Sequence, residues 1–154
     1  MFIDIIVTFL VSLSPLGEAR AGIPYGMIND LHPVISFTVG TIANLLVYPL
    51  LIVLINFSNR KLWNIHFYRK YAIKLARRSK KLMGNNIEKY GAWGLMIFVL
   101  IPLPGTGAYM GTIAAYILNI KRREAFIAVS VGTIASSIIV VLTTHFAMLG
   151  IKMF

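Results

Sequence analysis

The sequence predicts an all-α integral membrane protein. Its plan is two inverted repeats, each a re-entrant helical hairpin plus a transmembrane helix, joined by a basic amphipathic cytoplasmic helix. Three observations lead there. First, the 154 residues are 58% hydrophobic and only 13% charged, with a mean hydropathy of +0.78. A soluble domain carries about 25% charged residues, so too little polar surface remains to solvate a globule and the bilayer takes the place of water. Second, the apolar residues fall into four stretches, two of them uninterrupted and two broken by Pro and Gly. Third, the basic residues gather in two loops whose placement fixes which stretches cross.

The first stretch runs from Phe2 to Ile28 and is interrupted between Ser14 and Pro24. The second, Pro33 to Phe57, and the fourth, Ala125 to Leu149, contain no charge. A membrane-spanning helix needs about 20 apolar residues, so these two are transmembrane helices. The third stretch, Ala92 to Leu118, is interrupted by Pro102-Leu103-Pro104-Gly105-Thr106-Gly107. Each broken stretch has short apolar legs, and a leg of roughly ten residues reaches about halfway across the hydrocarbon. Such a segment either crosses as a broken helix or returns to its starting side as a re-entrant hairpin.

Charge separates the two readings. The net charge is +10, and ten of the fifteen Lys and Arg residues lie between Arg60 and Lys89, with Lys121, Arg122 and Arg123 forming a second group. If all four stretches crossed, these groups would face opposite compartments, against the cytoplasmic preference of Lys and Arg. With re-entrant first and third stretches both groups are cytoplasmic, while both termini and Asp30 lie outside. The halves also repeat: Val39-Gly40-Thr41-Ile42-Ala43 recurs as Val131-Gly132-Thr133-Ile134-Ala135. The chain is then a single membrane domain, 1–154, with repeat 1 at 1–59, a linker at 60–90 and repeat 2 at 91–154. Re-entrant hairpins give the repeats opposite orientation, an arrangement found among secondary transporters. The expected location is the cell membrane, multi-pass.

In the linker, Trp63, Phe67 and Tyr71 recur at helical spacing, with Lys70, Lys74, Arg77 and Lys81 on another face. This reads as a helix on the anionic inner leaflet, in contact with membrane lipids, or as a solvated linker helix. Nucleic acid is not an expected partner of so apolar a chain. The absence of cysteine excludes disulfides and thiolate metal sites, and no cofactor is expected. No G-x-S-x-G or H-E-x-x-H motif is present, so an enzyme is not expected either.

Glu18 and Arg20 are the most informative residues. They sit inside an apolar segment among Pro15, Gly17, Gly22 and Pro24, and a charge in hydrocarbon requires a partner or water. Either they form a site for a proton (Glu18) and an anionic group (Arg20), or they are an ion pair that pins the hairpin. Burial penalises the charged form of Glu18 while Arg20 favours it, and the balance decides between these roles. In the second break, Pro102, Pro104, Gly105, Thr106 and Gly107 free the backbone. A helix restarting near Ala108 would offer N–H groups to an anion, or the break is a turn where two tips pack closely. The two breaks are expected to approach each other. Asn44, mid-span, either lines a pathway or bonds across helices. Gly22–Gly26 and Gly107–Gly111 read as close-packing positions. His145 lacks an acidic cluster, so a metal site has little support.

The stretches Pro15-Leu16-Gly17-Glu18-Ala19-Arg20-Ala21-Gly22-Ile23-Pro24-Tyr25-Gly26 and Phe98-Val99-Leu100-Ile101-Pro102-Leu103-Pro104-Gly105-Thr106-Gly107-Ala108-Tyr109 resemble the small multi-drug export protein family, and its layout is similar to the wider DedA/VTT membrane proteins. The resemblance implies re-entrant hairpins in inverted repeats and the translocation of a phospholipid or polyprenyl-phosphate across the bilayer. The partners it implies are membrane lipids, a lipid-phosphate substrate and protons or another coupling ion, and a homodimer is compatible with it. A drug or cation exporter and a non-transporting membrane scaffold are the competing expectations. One departure stands out: DedA proteins carry arginines around the second break, and Pro102–Gly107 has none.

Overall fold

The computed structural model describes residues 1–62, 91–102 and 106–152. These form six helices and no strand among the described residues: α1 (Phe2–Leu13), α2 (Glu18–Ile28), α3 (Pro33–Leu62), α4 (Ala92–Leu100), α5 (Ala108–Ile117) and α6 (Arg122–Lys152). The expected amphipathic helix at 60–90 lies almost wholly outside the described residues, as do Leu103, Pro104 and Gly105. The two uncharged stretches fall within α3 and α6, whose apolar spans cover Pro33–Phe57 and Arg122–Gly150. At about 1.5 Å per residue each is long enough to cross a bilayer, and α1, α2, α4 and α5 are each too short.

The first break is shorter than the Ser14–Pro24 interval that proline and glycine suggest. The Ser14 hydroxyl donates to the Val11 carbonyl (2.8 Å) and accepts from the Gly17 N–H (3.0 Å), and the Glu18 N–H returns to the Ser14 carbonyl at 3.0 Å. This tight turn lets the helix restart at Glu18. Pro24 therefore lies inside α2, where its missing N–H costs one helical bond, the one that would reach the Arg20 carbonyl.

Glycine lets the first hairpin close. A Cβ on Gly22 would overlap the Ser12 hydroxyl, and one on Gly26 would come within 2.8 Å of Thr8 Oγ1 and 2.6 Å of Ser36 Oγ. Later residues of α2 thus meet earlier residues of α1, so the legs are antiparallel. The second hairpin uses Gly111, whose Cβ would strike a Val99 methyl. Gly22→Ala is expected to cost about 1–3 kcal/mol, the usual penalty for overpacking, seen as a lower melting temperature of the purified protein in detergent.

The repeated pentapeptide makes matching contacts. Gly40 on α3 approaches Ile23 and Ser12 of the first hairpin, and Gly132 on α6 approaches Val99 and the Met96 carbonyl of the second. The hairpins also end alike. Asp30 and Asn119 adopt φ of 60° and 52°, a conformation Asp and Asn tolerate better than most residues. The Leu31 N–H then bonds the Gly26 carbonyl and the Ile120 N–H bonds the Ala115 carbonyl, both at 3.0 Å, the six-to-one bond of a Schellman end.

The long helices run antiparallel. Mid-α3 meets the start of α6, where the Tyr48 hydroxyl donates to the Arg122 carbonyl at 3.0 Å and its ring lies 5.5 Å from that of Phe126. Early α3 meets late α6, with Phe37, Val140 and Val141 in one apolar cluster. The C-terminal end of α3 and the basic N-terminus of α6 therefore share one end of the bundle. The hairpins cross over: α2 packs on α6, and α5 packs on α3. The main core joins Val47 and Tyr48 to Leu95, Phe98, Val99 and Val129.

Candidate functional site

The two hairpin tips meet, as the sequence anticipates, and ionisable side chains join them. α5 starts at Ala108, leaving the N–H groups of its first turn without helical acceptors. Glu18 supplies one: its Oε1 accepts from the Tyr109 N–H at 3.2 Å. The anion expected at this helix start is thus a carboxylate of the chain's own first hairpin. Gly107 makes room for it. A Cβ there would overlap Glu18 Oε2 and lie 2.7 Å from Oε1, and the residue has φ of +147°.

Arg20 completes the junction. Its Nε lies 4.0 Å from Glu18 Oε2, and Nη2 donates to the Ile101 carbonyl (3.2 Å) and to Thr106 Oγ1 (3.1 Å). The Thr106 hydroxyl in turn donates to the Ile101 carbonyl at 2.6 Å. Tyr109 reaches back across the tips, its hydroxyl donating to the Leu13 carbonyl. Residues two apart on a regular helix face different sides. Here Glu18 has φ of +50°, which turns its carboxylate toward Arg20 and α5; a non-glycine residue held there costs about 1–3 kcal/mol. Glu18 is 8% exposed, so the pair is largely shielded while Arg20 keeps a partly open edge.

The other expected site residues divide. Thr106 and Gly107 belong to the junction. Pro102 is exposed beside it, and Pro104 and Gly105 lie outside the described residues. Pro24 is half-buried in α2. Asn44 is buried near the middle of the α3 span, with no hydrogen-bond partner for Oδ1 among the described residues, and stands apart from the hydrogen-bonded group at the tips. Sequence reasoning missed Tyr109, Ser14 and the carbonyls of Leu13 and Ile101. The backbone groups carry no residue signature, though a Tyr two residues past Gly107 is a visible hint. Among the described residues no three His, Cys, Asp or Glu side chains gather to hold a metal ion.

No curated protein matches the chain at a significant level, and no solved structure does. The profile of the small multi-drug export protein family does match, over residues 18–139. The matched segment opens on Glu18, after the turn of the first tip, and takes in the second tip, all of α3 and more than half of α6, leaving α1 outside. Together, the two long apolar helices and a match over well more than half of its length make this chain a membrane protein that belongs to the small multi-drug export protein family.

Proposed function

We propose that the chain is a multi-pass transporter whose working site is the junction of two re-entrant hairpins, with Glu18 and Arg20 as its switch. The observation that carries this reading is that Glu18 of one hairpin occupies the N-terminus of α5 in the other, beside Arg20. The antiparallel course of α3 and α6 supports inverted repeats: were all four stretches to cross, the two long helices would run parallel. The hairpins then enter from opposite faces and meet near mid-depth. The basic ends of α3 and α6 are cytoplasmic, by the preference of Lys and Arg for that side.

The chemistry is an exchange of anions. The N-terminus of α5 and the Arg20 guanidinium form a slot for negative charge, filled at rest by the Glu18 carboxylate. Protonating Glu18 removes its charge, weakens its hold on both groups and frees the slot for the anionic head of an amphipathic substrate such as a lipid phosphate. Losing the proton returns the carboxylate and expels the head. Alternating access follows from rocking one repeat against the other. A second reading rests on the family description: an exported drug-like cation would pair with Glu18 itself, while Arg20 keeps its bonds to Thr106 and the Ile101 carbonyl.

Flux into liposomes holding purified protein separates these readings. Labelled lipid phosphates and drug-like cations are each tested with and without an imposed pH gradient. Gradient-dependent movement of the phosphates supports the anion slot, movement of the cations alone supports the second reading, and movement of neither sinks the transporter proposal. Topology is tested by single cysteines at Asp30 and Lys121 labelled with an impermeant reagent. They are expected to react from opposite sides, and Lys121 reacting only from outside would contradict the re-entrant arrangement.

A further inference from the structure

The threonine of the repeated pentapeptide does not bond back into its own helix as Thr38, Thr112 and Thr143 do. Thr38, Thr112 and Thr143 turn their hydroxyls back to the carbonyl four residues earlier, at 2.6–2.8 Å, the usual refuge of a helical hydroxyl. Thr41 and Thr133 do not. Both are buried, at 6% and 1% exposure, and neither Oγ1 has a hydrogen-bond partner among the described residues. The same holds for Asn44 Oδ1 and Ser130 Oγ. A buried polar atom left without a partner is costly; Thr8, Ser12, Ser36 and Ser137 carry one as well, but Thr41 with Asn44 and Ser130 with Thr133 sit about one turn apart on two packed helices and call for a shared cause.

Helical register places them together. Tyr48 pins α3 to Arg122 and Phe126 of α6. On an α-helix Asn44 and Thr41 share the face of Tyr48, one and two turns earlier. Ser130 and Thr133 continue from Phe126, one and two turns later. Because the helices are antiparallel, the two sets lie opposite each other, near the middle of the span Pro33–Phe57 and toward the start of Arg122–Gly150. The gathered atoms are one amide oxygen and three hydroxyl oxygens, all neutral; the one carboxylate on either span, Glu124 in the first turn of α6, is exposed and paired with Lys121 at 3.5 Å. Neutral oxygens compensate the lost hydration of a single positive charge, as carbonyl rings do in cation filters. They lack the negative charge that divalent cations draw from carboxylates.

We infer that Thr41, Asn44, Ser130 and Thr133 form a site for a dehydrated monovalent cation of sodium size, built by the repeated pentapeptide from both halves. It is distinct from the Glu18–Arg20 junction and does not rest on the transport reading, because binding is measured at equilibrium without flux. The probe is radioactive sodium, bound to purified protein in detergent at fixed ionic strength with choline as replacement ion. Melting temperature is followed in parallel. Wild type is expected to bind sodium saturably and to melt higher in sodium than in choline. Thr133→Val and Asn44→Leu are expected to abolish binding and the sodium-dependent shift.

Thr133→Val has a second, diagnostic outcome. If its hydroxyl is satisfied only by the ion, the isosteric valine is expected to melt at or above wild type in choline. A lower melting temperature in both salts would assign the hydroxyl a structural bond and overturn the site. Absence of saturable binding in wild type overturns it too, as does binding retained in both variants. Glu18→Gln is expected to bind sodium like wild type; loss of binding there would move the ion to the tips and refute this placement.

Discussion

Glu18→Gln is expected to leave a folded protein whose liposome flux no longer responds to an imposed pH gradient. In wild type a gradient of one unit is worth at most about tenfold for each coupled proton, since one pH unit corresponds to 1.36 kcal/mol; in the variant the ratio falls to about one. Glutamine keeps an acceptor for the Tyr109 N–H but cannot cycle a proton. The fold should survive because Arg20 retains its bonds to Thr106 and the Ile101 carbonyl, and its separation of 4.0 Å from Glu18 marks a loose pair. We expect a loss of about 1–3 kcal/mol, the range for removing a charged hydrogen-bonding partner. A larger loss, recovered by adding Arg20→Met, would make the pair structural. Flux indifferent to the gradient in both proteins would remove Glu18 as the coupling group.

Gly107→Val should be the most damaging single change at the tips. Any Cβ meets the Glu18 carboxylate, and the φ of +147° is one that L-residues rarely adopt. Strain and overpacking each contribute about 1–3 kcal/mol, so a loss of roughly 2–6 kcal/mol is expected together with loss of flux. Gly91→Ala is the control. Gly91 also has positive φ, +53°, but nothing lies within 4 Å of its would-be Cβ, so only the conformational cost, of order 1 kcal/mol, should appear. Adding Glu18→Ala to Gly107→Ala should recover the overlap component and leave the strain. Equal effects at the two glycines would show that the Glu18 contact does not decide stability.

Much of this arrangement is legible in the residues because hydrocarbon permits few solutions. Uncharged stretches long enough to span become α3 and α6, and α5 begins at the Ala108 that follows the Gly-rich break. The meeting of the breaks follows from reading the halves as inverted repeats, which would bring each hairpin to mid-depth from its own side. Other features depend on geometry that residue identity does not encode. Pro24 reads as a break but sits within α2, because Ser14 closes the turn early enough for the helix to restart six residues before it. The positive φ of Glu18 is invisible, since glutamate has no special tolerance for it. The partners of Arg20 include a backbone carbonyl, which every residue possesses. The special role of Thr41 and Thr133 emerges only from hydroxyls that fail to bond back, although the repeat that contains them is plain in the sequence.

The junction also sets a schedule for biosynthesis. The partners of Glu18 and Arg20 in the second hairpin lie 81, 86 and 91 residues later in the chain. At a synthesis rate of roughly 5–20 residues per second, the first tip waits on the order of 5–20 s before the second exists. During that interval two ionisable groups have only each other, which disfavours burying the first hairpin at mid-depth and favours holding it near the interface until α5 arrives. The crossed packing of α2 on α6 and of α5 on α3 works in the same direction: each second leg gains part of its cover from the other half. A nascent chain halted after α3 should accordingly keep residues near Glu18 reachable by aqueous reagents, and lengthening it through α6 should shut them in.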